Sequence, residues 1–300
     1  GVLLLKAKNA FCMIQIFFNS MVSALMLALV ALGFNLIFNA TRVFHLTHGA
    51  IYVMGVFVAY SLQSGLGNWV SVPIAIVVSI GIALLVERWV YLPLAQRHAS
   101  AAISLISSLG VYTFLINLLA FFFGNEGVAL DNSTQTFIYE NAYFHINGIE
   151  AKQLLIGGFC LVGLYFFSQT RWYRNIRAVT DSYEVSEKFG ISVQQTRYIA
   201  MAVGSLLAIV SGLLNGFYTS TNPHDGLAIT LMATVAVIVG GVRSLWGTSL
   251  ACLVIALIDN FSVKILSQRW REVVIYALLI FVLLFFKEGL FSGKNRIEEQ

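Results

Sequence analysis

The chain reads as a succession of apolar runs separated by short polar breaks. Windows of about 19 residues pick out Ile14 to Phe38, Gly49 to Leu62, Val70 to Leu92, Ile103 to Phe123, Leu154 to Thr170, Tyr198 to Phe217 and Val273 to Phe286. A longer stretch, Ile229 to Ile258, lies before the last of these. A helix needs roughly 20 apolar residues to cross a bilayer, and most of these runs approach that length. The predicted fold is all-α: a polytopic transmembrane helical bundle with about eight hydrophobic segments, two of them broken or re-entrant. Residues 1–300 are expected to form a single transmembrane domain.

The first irregular segment is Asn35 to Gly55, where Asn35, Asn39, Arg42, His45, Thr47 and His48 crowd between two apolar runs. The second is Val239 to Gly247, where three glycines and Arg243 interrupt the stretch 229–258. At about 1.5 Å per residue that stretch is too long for one span and too short for two. A half-helix, a glycine turn and a return helix fit it. Polar side chains and broken backbone at membrane depth are tolerated where they are buried in protein or line a water-filled path. Paired interruptions in the two halves of a chain point to a translocation site. The candidate pathway residues are therefore Asn35, Asn39, His45, Thr47, His48 and Gly49 in the first break, and Gly240, Gly241, Ser244 and Gly247 in the second. The two breaks hint at an internal duplication, although residue identities show no alignable repeat.

Composition agrees with a membrane protein. The chain is 58% hydrophobic and 11% charged, with a mean hydropathy of +0.82, whereas a soluble domain carries about 25% charged residues. Its polar island is Arg171 to Arg197, which holds Arg171, Arg174, Arg177, Lys188 and Arg197, five of the 18 Lys and Arg residues. The loop 124–150 has no Lys or Arg but carries Glu126, Asp131, Glu140 and Glu150. Positive residues favour the cytoplasmic side, so 171–197 and the Arg97–His98 loop are expected inside and 124–150 outside. Parity then places the N-terminus outside, although Lys6 and Lys8 precede the first span. Either those lysines snorkel to the interface or the segment near residue 45 does not cross. The net charge of +4 suits cytoplasmic loops meeting anionic lipid and does not suggest nucleic acid. Cys12, Cys160 and Cys252 lie far apart in apolar runs, without metal-ligand spacing.

Single residues admit plainer readings. His48 alone reads as a helix cap bonded to a carbonyl. The glycines of 240–247 read equally as packing positions, and Asn117 and Asn215 as interhelical glue. Arg243 cannot sit bare in hydrocarbon. It needs a partner such as Asp225 or Asp259, a water-filled vestibule, or a place nearer the surface. No phosphate-binding loop, zincin motif or nucleophile elbow occurs. Neither a voltage-sensor arginine ladder nor a potassium-type filter is present. Catalysis by this chain is not expected.

The run Leu32-Gly33-Phe34-Asn35-Leu36-Ile37-Phe38, followed by Val43-Phe44-His45-Leu46-Thr47-His48-Gly49-Ala50-Ile51-Tyr52-Val53-Met54-Gly55, resembles the N-terminal signature of Liv-type permeases for branched-chain amino acids. His48 and Gly49 match the end of an asparagine-phenylalanine-alanine-histidine-glycine pattern, with His45, Leu46 and Thr47 replacing its start. Glu184-Val185-Ser186 and Gly190 are similar to the E-A-A-x-x-x-G pattern of ABC importer permeases. Gly240, Gly241, Ser244 and Gly247 match a G-G-x-G-S-x-P-G break, with Arg243 and Trp246 in the glycine and proline places. Phe286-Lys287-Glu288-Gly289-Leu290-Phe291 looks like the family's basic exit motif.

This resemblance implies a permease subunit of an ABC importer in the bacterial inner (plasma) membrane. It would pair with a second, homologous permease, rest on two ATPase subunits and receive solute from an external binding protein. The chain would bind no cofactor itself, ATP and Mg residing in the ATPase subunits, and would not be an enzyme. The helix 178–191 would enter an ATPase groove along the cytoplasmic face, with Asp181, Glu184, Ser186 and Gly190 as coupling residues. Branched-chain or other hydrophobic amino acids are the expected solutes. Urea, short amides or other small solutes are the alternative, because His45, Arg243 and Trp246 depart from the pattern at the pathway. A stand-alone gradient-driven transporter would use Arg42, His45 and His48 as ion sites. Against it, the spans carry few carboxylates, with Glu87 and Asp259 read as lying near span ends. The glycine breaks argue against a non-transporting scaffold.

Overall fold

The computed structural model describes the backbone of residues 2–131, 137–141 and 144–266, with isolated positions to 284, and side chains over 13–131 and 145–262 together with a few isolated positions beyond. The fold is helical. In chain order it runs α1 (Val2–Thr41), α2 (Thr47–Leu66), α3 (Asn68–Val86), α4 (Leu92–Gln96), α5 (Ala101–Phe123), β1 (Phe137–Asn141), β2 (Phe144–Asn147), α6 (Gly148–Ser168), α7 (Arg171–Asp181), α8 (Tyr183–Lys188), α9 (Val193–Gly216), α10 (Asp225–Gly240) and α11 (Leu245–Leu266). The strands form an antiparallel hairpin, Glu140 opposite His145. Among the described residues, 7 helices are long and apolar enough to cross a membrane, and Asp225–Gly240 is a shorter apolar helix. The expected span Val273 to Phe286 lies largely outside the described residues.

Helix boundaries follow local chemistry. Ser100, Ser182 and Ser192 each cap a helix by accepting a backbone N–H with their hydroxyl. Asn147 and Glu150 form a reciprocal capping box at the start of α6, meeting two amides that the first turn leaves free.

α1 and α9 form the centre and run antiparallel. Arg197 donates to the Thr41 carbonyl at 3.4 Å, and Ser211 donates to the Met26 carbonyl at 2.9 Å. α10 and α11 pack on α1, and α2 packs on α9. α3, α5 and α6 turn large apolar residues such as Val77, Phe114 and Phe159 outward. Such a surface suits lipid, where apolar side chains lose nothing by exposure.

The rod that carries Glu87 is longer than the span Val70 to Leu92 read from the sequence. α3 continues through a π-helical turn, Glu87–Tyr91, into α4, so the carboxylate lies within one rod, Asn68–Gln96. It is fully buried and pairs with Arg197 at 2.6 Å. Arg197, grouped with the polar island by its position in the sequence, is itself 1% exposed and sits inside α9. Four basic residues of that island are left outside the long helices.

Candidate functional site

One chain break reaches into the interior, and a second, partly exposed, leads the chain to it. Arg42 to Leu46 joins α1 to α2, yet His48 bonds to the Val30 carbonyl at 3.2 Å. Val30 precedes the end of α1 by about eleven residues, or roughly 16 Å of axis at ~1.5 Å per residue. The connection therefore folds back, and α2 begins beside the middle of α1. The second break is Phe217 to His224, between α9 and α10. Its residue Thr221 bridges to Val128, and its exit delivers Gly226 onto Gly49. α2 and α10 thus start together at the centre and leave in opposite directions. α2 ends beside Asn68, which bonds to the Asp131 carbonyl. α10 ends at Gly240, against Gly247 and Thr248.

The crossings are glycine to glycine. A Cβ at Gly49 would collide with the Gly226 carbonyl, and one at Gly226 with that of Gly49; Gly33 and Gly204 stand in the same reciprocal relation where α1 crosses α9. Only the absence of a side chain lets the backbones approach so closely.

Around the first crossing is a buried polar cluster. The Thr47 hydroxyl lies 2.6 Å from the Tyr91 hydroxyl and donates to the Ser108 carbonyl, while Tyr91 donates to the Ser108 hydroxyl at 3.0 Å. His45 packs edge-on against Tyr91, with ring centroids 5.1 Å apart. Neither of its ring nitrogens has a hydrogen-bond partner among the described residues.

A cavity lies on each side of this centre. The outer one, about 330 Å³, reaches toward the hairpin end. Its apolar wall is Val22, Met26, Leu27, Val30, Ile229 and Met232; its polar wall includes Glu150, Gln153, Asn215 and Tyr218. Ligand cavities run from about 300 to 1,000 Å³. The Glu150 carboxylate accepts the Asn147 amide at 2.9 Å and the Tyr218 hydroxyl at 3.4 Å. Burial, and then the Glu150 carboxylate, raise the Tyr218 phenol above its ordinary value, so it stays a proton donor at neutral pH.

The inner cavity, about 250 Å³, is lined by Leu36, Asn39, Tyr173, Ile176, Arg177, Thr180, Asp181 and Arg243. Burial raises the Tyr173 phenol, opposed by Arg177. Val30 lines the outer cavity and Leu36 the inner one. About six residues of α1, roughly 9 Å at ~1.5 Å per residue, separate them.

The α7–α8 segment grips the inner cavity. Thr180 donates to the Asn39 carbonyl at 2.9 Å, and the Arg42 guanidinium donates to the Thr180 carbonyl. Asp181 pairs with Arg243 at 3.3 Å. Arg243 therefore finds its partner in Asp181 rather than Asp225 or Asp259, and sits near the surface. In α8, Ser186 is buried and donates to the Ser182 carbonyl. Gly190 follows with φ +77° and open space around its α-carbon, a backbone state that favours glycine. Tyr183, Val185 and Phe189 point outward, Phe189 being 81% exposed.

The structure thus brings most of the sequence-selected residues into two places. His45, Thr47, His48 and Gly49 lie at the centre between the cavities. Asn39 lines the inner cavity; it and Asn35 donate to the Val242 carbonyl at 2.8 and 2.9 Å. Gly240, Gly241, Ser244 and Gly247 form the tight turn beside them. Gly240 packs on the Gly247 backbone, Gly241 has φ +90°, and the Ser244 hydroxyl accepts the Gly247 amide. This turn is not the structural counterpart of the first break. That counterpart is 217–224, which the sequence pattern does not single out. Asn117 bonds within its own helix, to the Thr113 carbonyl, on an exposed face, so it is not glue between helices. Asn215 of α9 hydrogen-bonds the Tyr52 hydroxyl of α2 at the outer cavity, so it does join two helices. Apart from Asn215, the outer cavity residues were missed, although Asn19 with Ser23 and Ser211 with Asn215 each put polar groups four apart on an apolar helix. That spacing gives one helix face.

Residues 16–283 match the family described as branched-chain amino acid transport system / permease component. Among curated relatives, the high-affinity branched-chain amino acid transport system permease protein LivH of Escherichia coli K12 is 27% identical, covering 95% of this chain and 97% of the relative. BraD of Pseudomonas aeruginosa, of the same description, is 26% identical over 91% of this chain and 93% of its own length. The xylose transport system permease protein XylH of Haemophilus influenzae is 27% identical over 42% of this chain and 36% of its own. No solved structure matches the chain significantly.

Proposed function

This chain belongs to the family of branched-chain amino acid transport system permease components, and from that premise we propose that it is the transmembrane permease subunit of an ATP-binding-cassette importer. In this reading it is a multi-pass protein of a bacterial inner membrane. It carries branched-chain or other hydrophobic amino acids from an external binding protein toward the cytoplasm. It pairs with a second, homologous permease and binds two ATPase subunits, which hold the ATP and Mg. The chain has no ATPase site of its own.

One observation supports this reading above the rest. The exposed α7–α8 segment is bonded directly to both elements that wall the inner cavity: α1 through Thr180–Asn39 and the α10–α11 turn through Asp181–Arg243. A force applied to that segment would reach both walls at once. With the basic segment inside by the positive-inside rule, the outer cavity faces the binding protein and the inner one the ATPases. The chemical division follows. ATP-driven closure of the ATPase subunits moves α7–α8, the two cavities open alternately, and the barrier between Val30 and Leu36 is crossed. Coupling requires that the segment bind the ATPase differently in the two states.

The test is Gly190→Trp and Glu184→Lys in the assembled importer, assayed for ATPase-subunit retention and for leucine uptake. Both should lose retention or uptake. Normal assembly with normal uptake in both variants would sink the coupling claim.

A further inference from the structure

A narrow groove opens where α6 stops and α11 starts. Leu32 of α1 is its floor, Leu161, Leu164 and Tyr165 of α6 form one wall, and Leu245 and Trp246 of α11 form the other. The two remaining lining residues are Ser168 and Ser249. Both hydroxyls donate within their own helices, to the Tyr165 and Leu245 carbonyls, so the groove turns no free donor toward an occupant. Its volume is about 150 Å³. One turn of a helix, about 10 Å across and 5.4 Å long, fills roughly 400 Å³, so the groove takes a single hydrocarbon chain rather than a helix. Trp246 is 72% and Tyr165 50% exposed, and their rings meet with centroids 6.5 Å apart. Trp and Tyr favour the level at which acyl chains give way to headgroups.

Just beyond Ser168 the chain enters α7. Arg171 and Arg174 stand one turn apart on its exposed face, opposite the buried Ile176, Val179 and Thr180. Neither takes part in an ion pair among the described residues, and Asp181 of the same helix is taken by Arg243. Arg171 lies 5.5 Å over the ring of Trp172, and Arg174 gives one bond, to the Gln169 carbonyl at 2.9 Å. A guanidinium has five N–H donors, and a phosphate takes two of them at once. The positive-inside rule puts this basic end at the cytoplasmic leaflet, whose lipids are partly anionic. We propose that the groove binds an anionic phospholipid of that leaflet, one acyl chain lying against Trp246 between α6 and α11 and the phosphate meeting Arg171 and Arg174. A zwitterionic lipid fills the groove equally well, but its ammonium is repelled by the two guanidinium groups. The proposal needs the membrane placement and its sidedness, not the importer reading.

The experiment titrates the detergent-solubilised full chain with phosphatidylglycerol whose acyl chains carry bromine, which quenches tryptophan fluorescence on contact, and with phosphatidylcholine bearing the same chains. Trp246→Phe removes the reporter, so the difference from the unaltered chain isolates the signal of the groove. Phosphatidylglycerol should quench that signal at mole fractions at which phosphatidylcholine leaves it bright. Arg171→Gln and Arg174→Gln should each raise the half-quenching concentration of phosphatidylglycerol about fivefold, and together about thirtyfold, with the phosphatidylcholine titration unchanged. Both side chains are exposed, so these variants should fold. If the double variant does not, the preference of the unaltered chain and its weakening as salt rises decide. Excess glycerol 1-phosphate should leave the quenching in place; if it abolishes the preference, the site takes a free phosphate and the lipid assignment is overturned. Equal quenching by the two lipids, or an unchanged half-quenching concentration in the folded double variant, overturns it too. So does a Trp246 signal that neither lipid reaches, which would mean that protein covers the groove. None of these outcomes bears on the importer reading, which uptake decides.

Discussion

Asp181, the last residue of α7, lies 3.3 Å from the Arg243 guanidinium in the turn between α10 and α11. Both side chains are more than half exposed, at 69% and 54%, so the pair contributes little to stability, about 0–1 kcal/mol. Its value is connection: it joins a surface segment to the turn that carries the Val242 carbonyl, to which Asn35 and Asn39 donate.

Replacing Asp181 with Asn, or Arg243 with Gln, should leave the unfolding midpoint nearly unchanged and lower the number of solute molecules moved per ATP hydrolysed. The charge-swapped pair Asp181→Arg with Arg243→Asp should recover much of the loss. Uptake and phosphate release measured together in proteoliposomes decide this. A swap that couples no better than either single variant removes the pair from the mechanism.

Gly49→Ala and Gly226→Ala should each destabilise the chain severely, because the new methyl meets a backbone carbonyl that cannot move aside. Gly81→Ala is the control. Its Cβ meets nothing within 4 Å, and the change should stabilise by about 0.4–1 kcal/mol. Thermal unfolding of the three purified variants gives the ranking. Equal midpoints for Gly49→Ala and Gly81→Ala would contradict the crossing.

Glu87→Ala or Arg197→Ala strands a buried charge and should cost about 3–5 kcal/mol. The double change Glu87→Leu with Arg197→Met should be far milder than either, since a buried ion pair often does no better than apolar residues of similar size. Expression level and unfolding midpoint report the difference. Additive losses in the double variant would show that the two groups act independently.

Phe189→Ala should leave folding untouched, because the ring is 81% exposed, and should reduce ATPase-subunit retention during purification. Retention equal to the unaltered chain would place the contact elsewhere on α7–α8.

The long spans were legible because apolar runs of span length have few other uses. The polar island was legible because charges cluster there, and the glycine turn at 240–247 because Gly241 needs a backbone state that other residues avoid. Arg197 was misplaced for a physical reason. Its charge is cancelled by Glu87, about 110 residues away in sequence and invisible to any local window. The break at 217–224 was missed because Thr221-Asn222-Pro223-His224 has ordinary loop composition, and nothing local says that its exit meets Gly49. The outer cavity draws on six helices, so its lining becomes a set only after folding.

Two rods whose backbones touch at a single point can swivel there, but sliding would drive carbonyl into carbonyl. The reciprocal contacts at Gly33–Gly204 and Gly49–Gly226 therefore give the molecule a fulcrum. In the proposed importer that constraint would hold the middle nearly still while the two mouths travel, making the device a rocker rather than a piston.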